Sequence, residues 1–231
     1  MLRAIFGEPP RQDTGLLLEA NEAIRGYMRT VTRKKGAAPT PQERRYAIWC
    51  QSFLRALDEL EQSQYAALRY GERVKTTFID QMEREELDDY HRHLYYYNNA
   101  LIRLFAVLDK LGHFMNERLA LKTEKIKSRF SYFTVLRNMH QHKLFTDLEA
   151  KLYELKTSYK EPLTRLRNQR NMEIHTINAD LLDDLMKAEE AKYGERLRSE
   201  TEDVRENLAD LAQGCDMAFR SVTTVFRYLV R

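Results

Sequence analysis

Proline is nearly missing from this sequence: five of 231 residues are proline, and none falls between Pro41 and Pro162. Proline removes a backbone donor and clashes with the preceding helical turn, so a gap of that length leaves room for very long helices. Glycine is also scarce, at eight residues, which argues against a turn-rich β protein. The two cysteines, Cys50 and Cys215, are too few for a disulfide framework and have no Cys-x-x-Cys or Cys/His metal spacing around them. Both are expected to be buried, reduced thiols. Long apolar runs are absent as well. The most apolar stretch, Ala100 to Leu108, is interrupted by Arg103, and Met1 to Pro10 lacks a basic segment followed by an apolar one. The expectation is a cytoplasmic protein with no membrane partner. No run of five residues alternates as a half-buried strand does, so no sheet is assigned. No repeat of fixed period is visible.

What is present is the material of amphipathic helices, 43% apolar and 32% charged residues. The length suits a single helical domain over 1–231, divided into an N-terminal helical hairpin over 14–70 and a bundle over 79–231. Thr14 precedes a first stripe of Leu17, Ala20, Ile24, Tyr27, Met28 and Val31, which the segment from Lys34 to Pro41 breaks. Thr40, Pro41 and Glu43 form a capping box with proline at the first helical position. Tyr46, Trp49, Phe53, Leu57 and Leu60 follow at steps of three and four, and Gly71 is the expected stop. Tyr97, Leu101, Leu104, Leu108, Leu111, Met115 and Leu119 mark a helix from about Ile79 to Leu121, with Gly112 inside it. Shorter segments are expected over Ser131 to Asn138 and around Leu144, Leu148, Leu152 and Leu155, with Pro162 at a helix start or a kink. Val204, Leu208, Leu211, Cys215, Ala218, Val222, Val225 and Leu229 form the closing stripe. The fold class is all-α, an up-and-down bundle with long antiparallel helices.

The formal charge of +3 is too small to imply a nucleic-acid partner, but its distribution is uneven. Lys122, Lys125, Lys127, Arg129, Arg137 and Lys143 stand against Glu124 alone, and Lys156, Lys160, Arg165, Arg167 and Arg170 against Glu161. Eleven acids face five bases between Asp180 and Asp210, and six acids face Arg84 between Asp80 and Asp89. The middle of the chain is basic and its flanks are acidic. Such runs are often no more than solvated helix faces.

Metal chemistry finds little to work with. A di-iron bundle needs Glu-x-x-His on each of two helices. The chain has no Glu-x-x-His; it has Asp88 with His91, and the pairs His91/His93 and His140/His142, none repeated as a metal centre requires. No metal and no cofactor is expected. Phosphate loops and nucleophile elbows are absent. The run Tyr95, Tyr96 and Tyr97 carries rings that stack on bases, although Tyr97 lies on the apolar stripe and reads first as core.

There remains an Arg-Asn-x-x-x-His element at Arg170, Asn171 and His175. Cleaving RNA without a metal requires groups that deprotonate the ribose 2′-hydroxyl and protonate the leaving 5′-oxygen, and a cation at the phosphorane. Histidine suits the first two tasks and arginine the third. On a helix Asn171 and His175 share a face, whereas Arg170 is rotated from His175 by about 140°. Either Arg170 reaches round, or the helix is broken between them. The pattern recurs at Arg137, Asn138 and His142, so one copy has another meaning.

The stretch SYKEPLTRLRNQRNMEIHTINADLLDDL, Ser158 to Leu185, resembles the HEPN superfamily. That family's signature is Arg, four to six residues, then His, usually with a polar residue directly after Arg and a leucine-spaced helix before it. Leu163 and Leu166 precede Arg170, and Asn171 is the polar residue. The run LDKLGHFMNERL, Leu108 to Leu119, is similar to a helix of bacterial HEPN subfamilies.

The resemblance implies a helical protein, commonly a homodimer, and a metal-independent endoribonuclease that leaves a 2′,3′-cyclic phosphate. It makes Arg170, Asn171 and His175 the catalytic set. Dimerisation then brings two motifs into one cleft. Lys122, Lys125, Lys127, Arg129, Arg137, His142, Lys143, Arg165 and Arg167 become the RNA path. It also implies a toxin or defence effector whose partners are RNA and an antitoxin or other regulatory protein. The alternative of another class is a non-catalytic helical binding or scaffold protein.

Overall fold

The computed structural model describes residues 2–32, 38–175 and 203–230, without the side chain of His175. The first half of the break expected from Lys34 to Pro41 and most of the acidic stretch from Asp180 to Asp210 lie outside the described residues. Eight helices are described: α1 (Leu2–Ile5), α2 (Gly15–Thr32), α3 (Pro41–Gly71), α4 (Arg84–Arg118), α5 (Tyr132–Gln141), α6 (Thr146–Ser158), α7 (Lys160–His175) and α8 (Val204–Val230). No strand is found among the described residues, and the fold class is all-α.

Local chemistry sets the helix ends. The Thr40 backbone N–H donates to the Glu43 carboxylate at 2.7 Å and the Glu43 N–H donates back to the Thr40 hydroxyl at 3.2 Å, which starts α3. Pro162 sits in the first turn of α7, where its missing N–H costs nothing. Helix α4 is shorter at both ends than the apolar stripe predicts. Ahead of it, the Glu86 carboxylate accepts the backbone N–H groups of Lys75 and Thr76 and the Thr76 hydroxyl. These bonds hold the acid below its ordinary pKa and tie down the segment before the helix, where Ile79–Gln81 form a separate 3-10 turn. At the far end Ala120 and Lys122 adopt left-handed backbone angles, φ 52° and 55°. The Asn116 side chain accepts the Thr123 N–H at 2.8 Å and so caps the reversal.

The chain groups into two compact units. One contains Met1–Pro9, Glu61–Ile102 and Glu161–Gly214; the other contains Pro10–Leu60, Arg103–Lys160 and Cys215–Arg231. The division passes through α3, α4 and α8, each of which gives residues to both.

The core of the second unit is aromatic. Phe226 stacks on Phe114 at 5.1 Å and meets Phe53 and Tyr27 edge-on at 5.3 and 5.6 Å. Offset and edge-on ring pairs contribute about 0.5–1.5 kcal/mol each beyond their burial. The Tyr27 hydroxyl leaves this cluster by accepting a hydrogen bond from Arg118. Cys50 and Cys215 are fully buried and neither is in a disulfide, and burial pushes the Cys50 thiol up to about 12.

In the first unit Tyr90, Leu94 and Val204 form a buried cluster with Leu87 and Leu208 against it. A Cβ on Gly71, the last residue of α3, would lie 2.8 Å from His93 Nδ1 and 2.9 Å from Leu208. Close packing as well as helix termination therefore selects glycine there.

Gly112 is the corresponding contact in the second unit. A Cβ on it would lie 2.7 Å from the Tyr132 Cα and 3.0 Å from its backbone nitrogen, which donates to Asp109. Alanine at this position gains roughly 1 kcal/mol of helix propensity but must displace backbone. Gly112→Ala is expected to lower stability by about 1–3 kcal/mol, read as a reduced midpoint in urea. An unchanged or raised midpoint would show that α5 yields at no cost.

Candidate functional site

Helix α7 carries two different faces. Leu163 and Leu166 are buried, and steps of three and four from them lead to Gln169, Arg170 and Glu173, all half-buried. Asn171 is exposed. Two polar links fix this rotation. Arg165 donates Nε–H and Nη–H to the two carboxylate oxygens of Asp210, both at 2.6 Å, and the Asp210 side chain is 4% exposed. The Asp210 carboxylate holds the Arg165 guanidinium firmly in its charged form. Gln169 accepts the Tyr97 hydroxyl at 2.6 Å and donates to the Asn207 side chain at 2.7 Å.

On this frame α7 runs unbroken to His175. Arg170 Nε and Nη donate to the Asn171 side-chain oxygen at 3.2 and 2.9 Å. Of the two arrangements the spacing allows, a break between Arg170 and His175 is absent, since both lie within α7. Asn171 binds the guanidinium by its edge, and positions 171 and 175 are one helical turn apart.

The second copy of the pattern is built otherwise. Asn138 is buried, and its amide donates to the Leu121 carbonyl at 3.1 Å and to the Thr123 hydroxyl at 3.0 Å. It therefore holds the reversal that follows α4. His140 donates toward Glu149 at 2.9 Å and stacks on Tyr153 with ring centres 4.6 Å apart. His142 caps α5, its Nδ1 donating to the Asn138 carbonyl at 3.1 Å. Arg137 is exposed and apart from these bonds.

Lys122, Lys125, Lys127, Arg129, Arg137, His142 and Lys143 are all exposed and belong to the second unit. Arg165 and Arg167 are exposed residues of α7 in the first unit. The Arg165 fork is occupied by Asp210, which offsets its charge and leaves no bidentate contact to offer. Among the described residues no three His, Cys, Asp or Glu side chains converge as a metal site. No described helix is long and apolar enough to cross a membrane.

Two residues of this frame are missed by sequence reasoning. Gln169 has no pattern of its own, and its role becomes visible only once Tyr97 and Asn207 flank it. His93, read as half of a His-x-His pair, is core: it is 1% exposed, its Nδ1–H donates to the Ala67 carbonyl at 2.8 Å, and its ring stacks on Tyr97 at 5.8 Å.

An all-helical chain that presents an arginine–asparagine pair one turn before a histidine, behind buried leucines, has the form of a HEPN domain. A family model described as HEPN_Cthe2314-like HEPN matches residues 49–230, and the chain belongs to the HEPN family. No curated protein and no solved structure matches it.

Burial holds the His93 imidazole below its ordinary value of 6.5, the bond to Ala67 opposing only in part. The folded state therefore favours neutral His93. Its contribution to stability is complete above about pH 6.5 and falls as the pH drops below that value, where the unfolded chain binds the extra proton. His93→Gln keeps a donor for Ala67 and removes the titration. Urea midpoints measured from pH 7 to 5 should fall less steeply in the variant than in the wild type; equal slopes would place the titrating group elsewhere.

Proposed function

We propose that the chain is a metal-independent endoribonuclease of HEPN type that acts as a homodimer, a toxin or defence effector restrained by an antitoxin or other regulatory protein. The observation that carries this reading is the pairing of Arg170 with Asn171 on a helix that continues to His175. An arginine fork matches the oxygens of a phosphate, and the neutral Asn171 carboxamide orients the Arg170 fork without itself adding a negative charge.

In the reaction the ribose 2′-oxygen attacks the adjacent phosphorus and the bond to the 5′-oxygen breaks. His175 takes the 2′-hydroxyl proton or supplies the proton to the leaving oxygen, and the second subunit's His175 performs the other transfer. Arg170 stabilises the charge on the phosphorane oxygens, and Asn171 orients Arg170. The products are a 2′,3′-cyclic phosphate and a 5′-hydroxyl. Lys122, Lys125, Lys127, Arg129, Arg137, Lys143 and Arg167 attract the strand through its phosphates, so binding weakens as salt rises; His142, whose ring is bonded to the Asn138 carbonyl, stays out of this set.

Purified wild type should cleave RNA in the presence of chelator. His175→Ala should lower kcat by about 10²–10⁴-fold with the helical circular dichroism unchanged, and His142→Ala should leave the rate within a factor of a few. Full activity in His175→Ala would overturn the assignment. Absence of cleavage by the wild type, together with a salt-sensitive protein complex, would favour a binding or scaffold role.

A further inference from the structure

The first unit holds a groove of about 410 Å³ whose lining includes His91, Tyr95, Asn98, Asn99 and Ile102 of α4 and Glu173 of α7. The α4 residues are spaced to form one helix face. Glu173 stands three residues after Arg170, so the two share one side of α7.

Three features of the groove point to a flat, polar-edged ligand. Glu173 Oε2 is buried and has no hydrogen-bond partner among the described residues. A carboxylate oxygen in that position gains from a donor brought by a ligand. Tyr95 is 63% exposed and meets Tyr96 edge-on at 5.1 Å, so the ring is steadied by its neighbour while remaining open to solvent. Asn99, whose side-chain oxygen accepts the Ser63 hydroxyl at 3.0 Å, adds a carboxamide to the lining of the same groove.

We propose that this groove is a nucleobase subsite selective for guanine. A carboxylate only accepts, and its two oxygens match two adjacent donors. Guanine alone among the RNA bases offers that pair, N1–H and the N2 amino group, on its Watson–Crick edge. Adenine and cytosine each set a ring-nitrogen acceptor beside their amino group, and uracil flanks its single N–H with two carbonyls, so each turns lone pairs toward the acid. Tyr95 supplies the stacking surface on which an unpaired base rests. The subsite deepens the ribonuclease reading, since its distance along α7 from Arg170 is a single turn.

The test uses 2′-O-methyl tetranucleotides, which cannot be cleaved, each with one G, A, C or U among otherwise identical bases. Binding to the full chain is followed by fluorescence anisotropy. The guanine probe should bind roughly tenfold or more tighter than the others, the discrimination expected of a bidentate contact to one base. Glu173→Gln should abolish that preference with the helical content unchanged, and Tyr95→Ala should weaken every probe about tenfold. Equal binding of the four probes, or a preference that survives Glu173→Gln, would overturn the subsite. So would loss of dimer in Tyr95→Ala, measured by sedimentation, with probe binding unaltered, which would make this face an intersubunit contact. Guanine preference without cleavage of ordinary RNA would uphold the subsite and remove the ribonuclease reading; cleavage without base preference would do the reverse.

Discussion

Gln169 is bonded on both sides of its carboxamide, to Tyr97 on α4 and to Asn207 on α8, and one turn earlier Arg165 closes both arms of its fork on the buried Asp210. A helix that packed only through Leu163 and Leu166 could rotate by a fraction of a turn at little cost. Directional bonds remove that freedom. A changed rotation would strand Asp210 without its counter-charge, and an unpaired buried carboxylate is among the most costly defects a fold can carry. Everything proposed for the site depends on this register, because it decides which side chains of α7 are half-buried and which are presented.

The division of labour among the arginines follows from their partners. Arg165 and Arg170 lie five residues apart: Arg165 closes its fork on a buried acid, and Arg170 donates to the side-chain oxygen of Asn171. The twin asparagines differ in the same way. Asn171 is exposed and faces a guanidinium, whereas Asn138 is buried and satisfies backbone and hydroxyl groups where the chain reverses after α4.

Much of the helix layout is legible in the sequence because it is written in short-range chemistry. The Thr40–Glu43 box marks the start of α3, and the stripe from Leu211 to Val225 is buried in α8. The ends of α4 are not legible. They are set by Glu86 reaching back to Lys75 and Thr76 and by Asn116 capping Thr123, and neither residue type at those positions signals such a contact beforehand. The site is legible only as a pattern occurring twice. What separates the copies is the tertiary surroundings of two asparagines, information that no local spacing contains. Glu173 likewise reads as one of many surface acids until α4 is placed beside it.

If Arg170 and His175 act together on a phosphodiester, the chemistry of the product ends reveals it most directly. A defined single-stranded RNA, incubated with the protein in chelator and analysed by mass spectrometry, should yield 2′,3′-cyclic phosphate and 5′-hydroxyl ends. Those ends should vanish in Arg170→Ala and in His175→Ala and persist in His142→Ala. Products bearing 5′-phosphate ends, or cyclic phosphate undiminished in the His175 variant, would rule out that chemistry at Arg170 and His175.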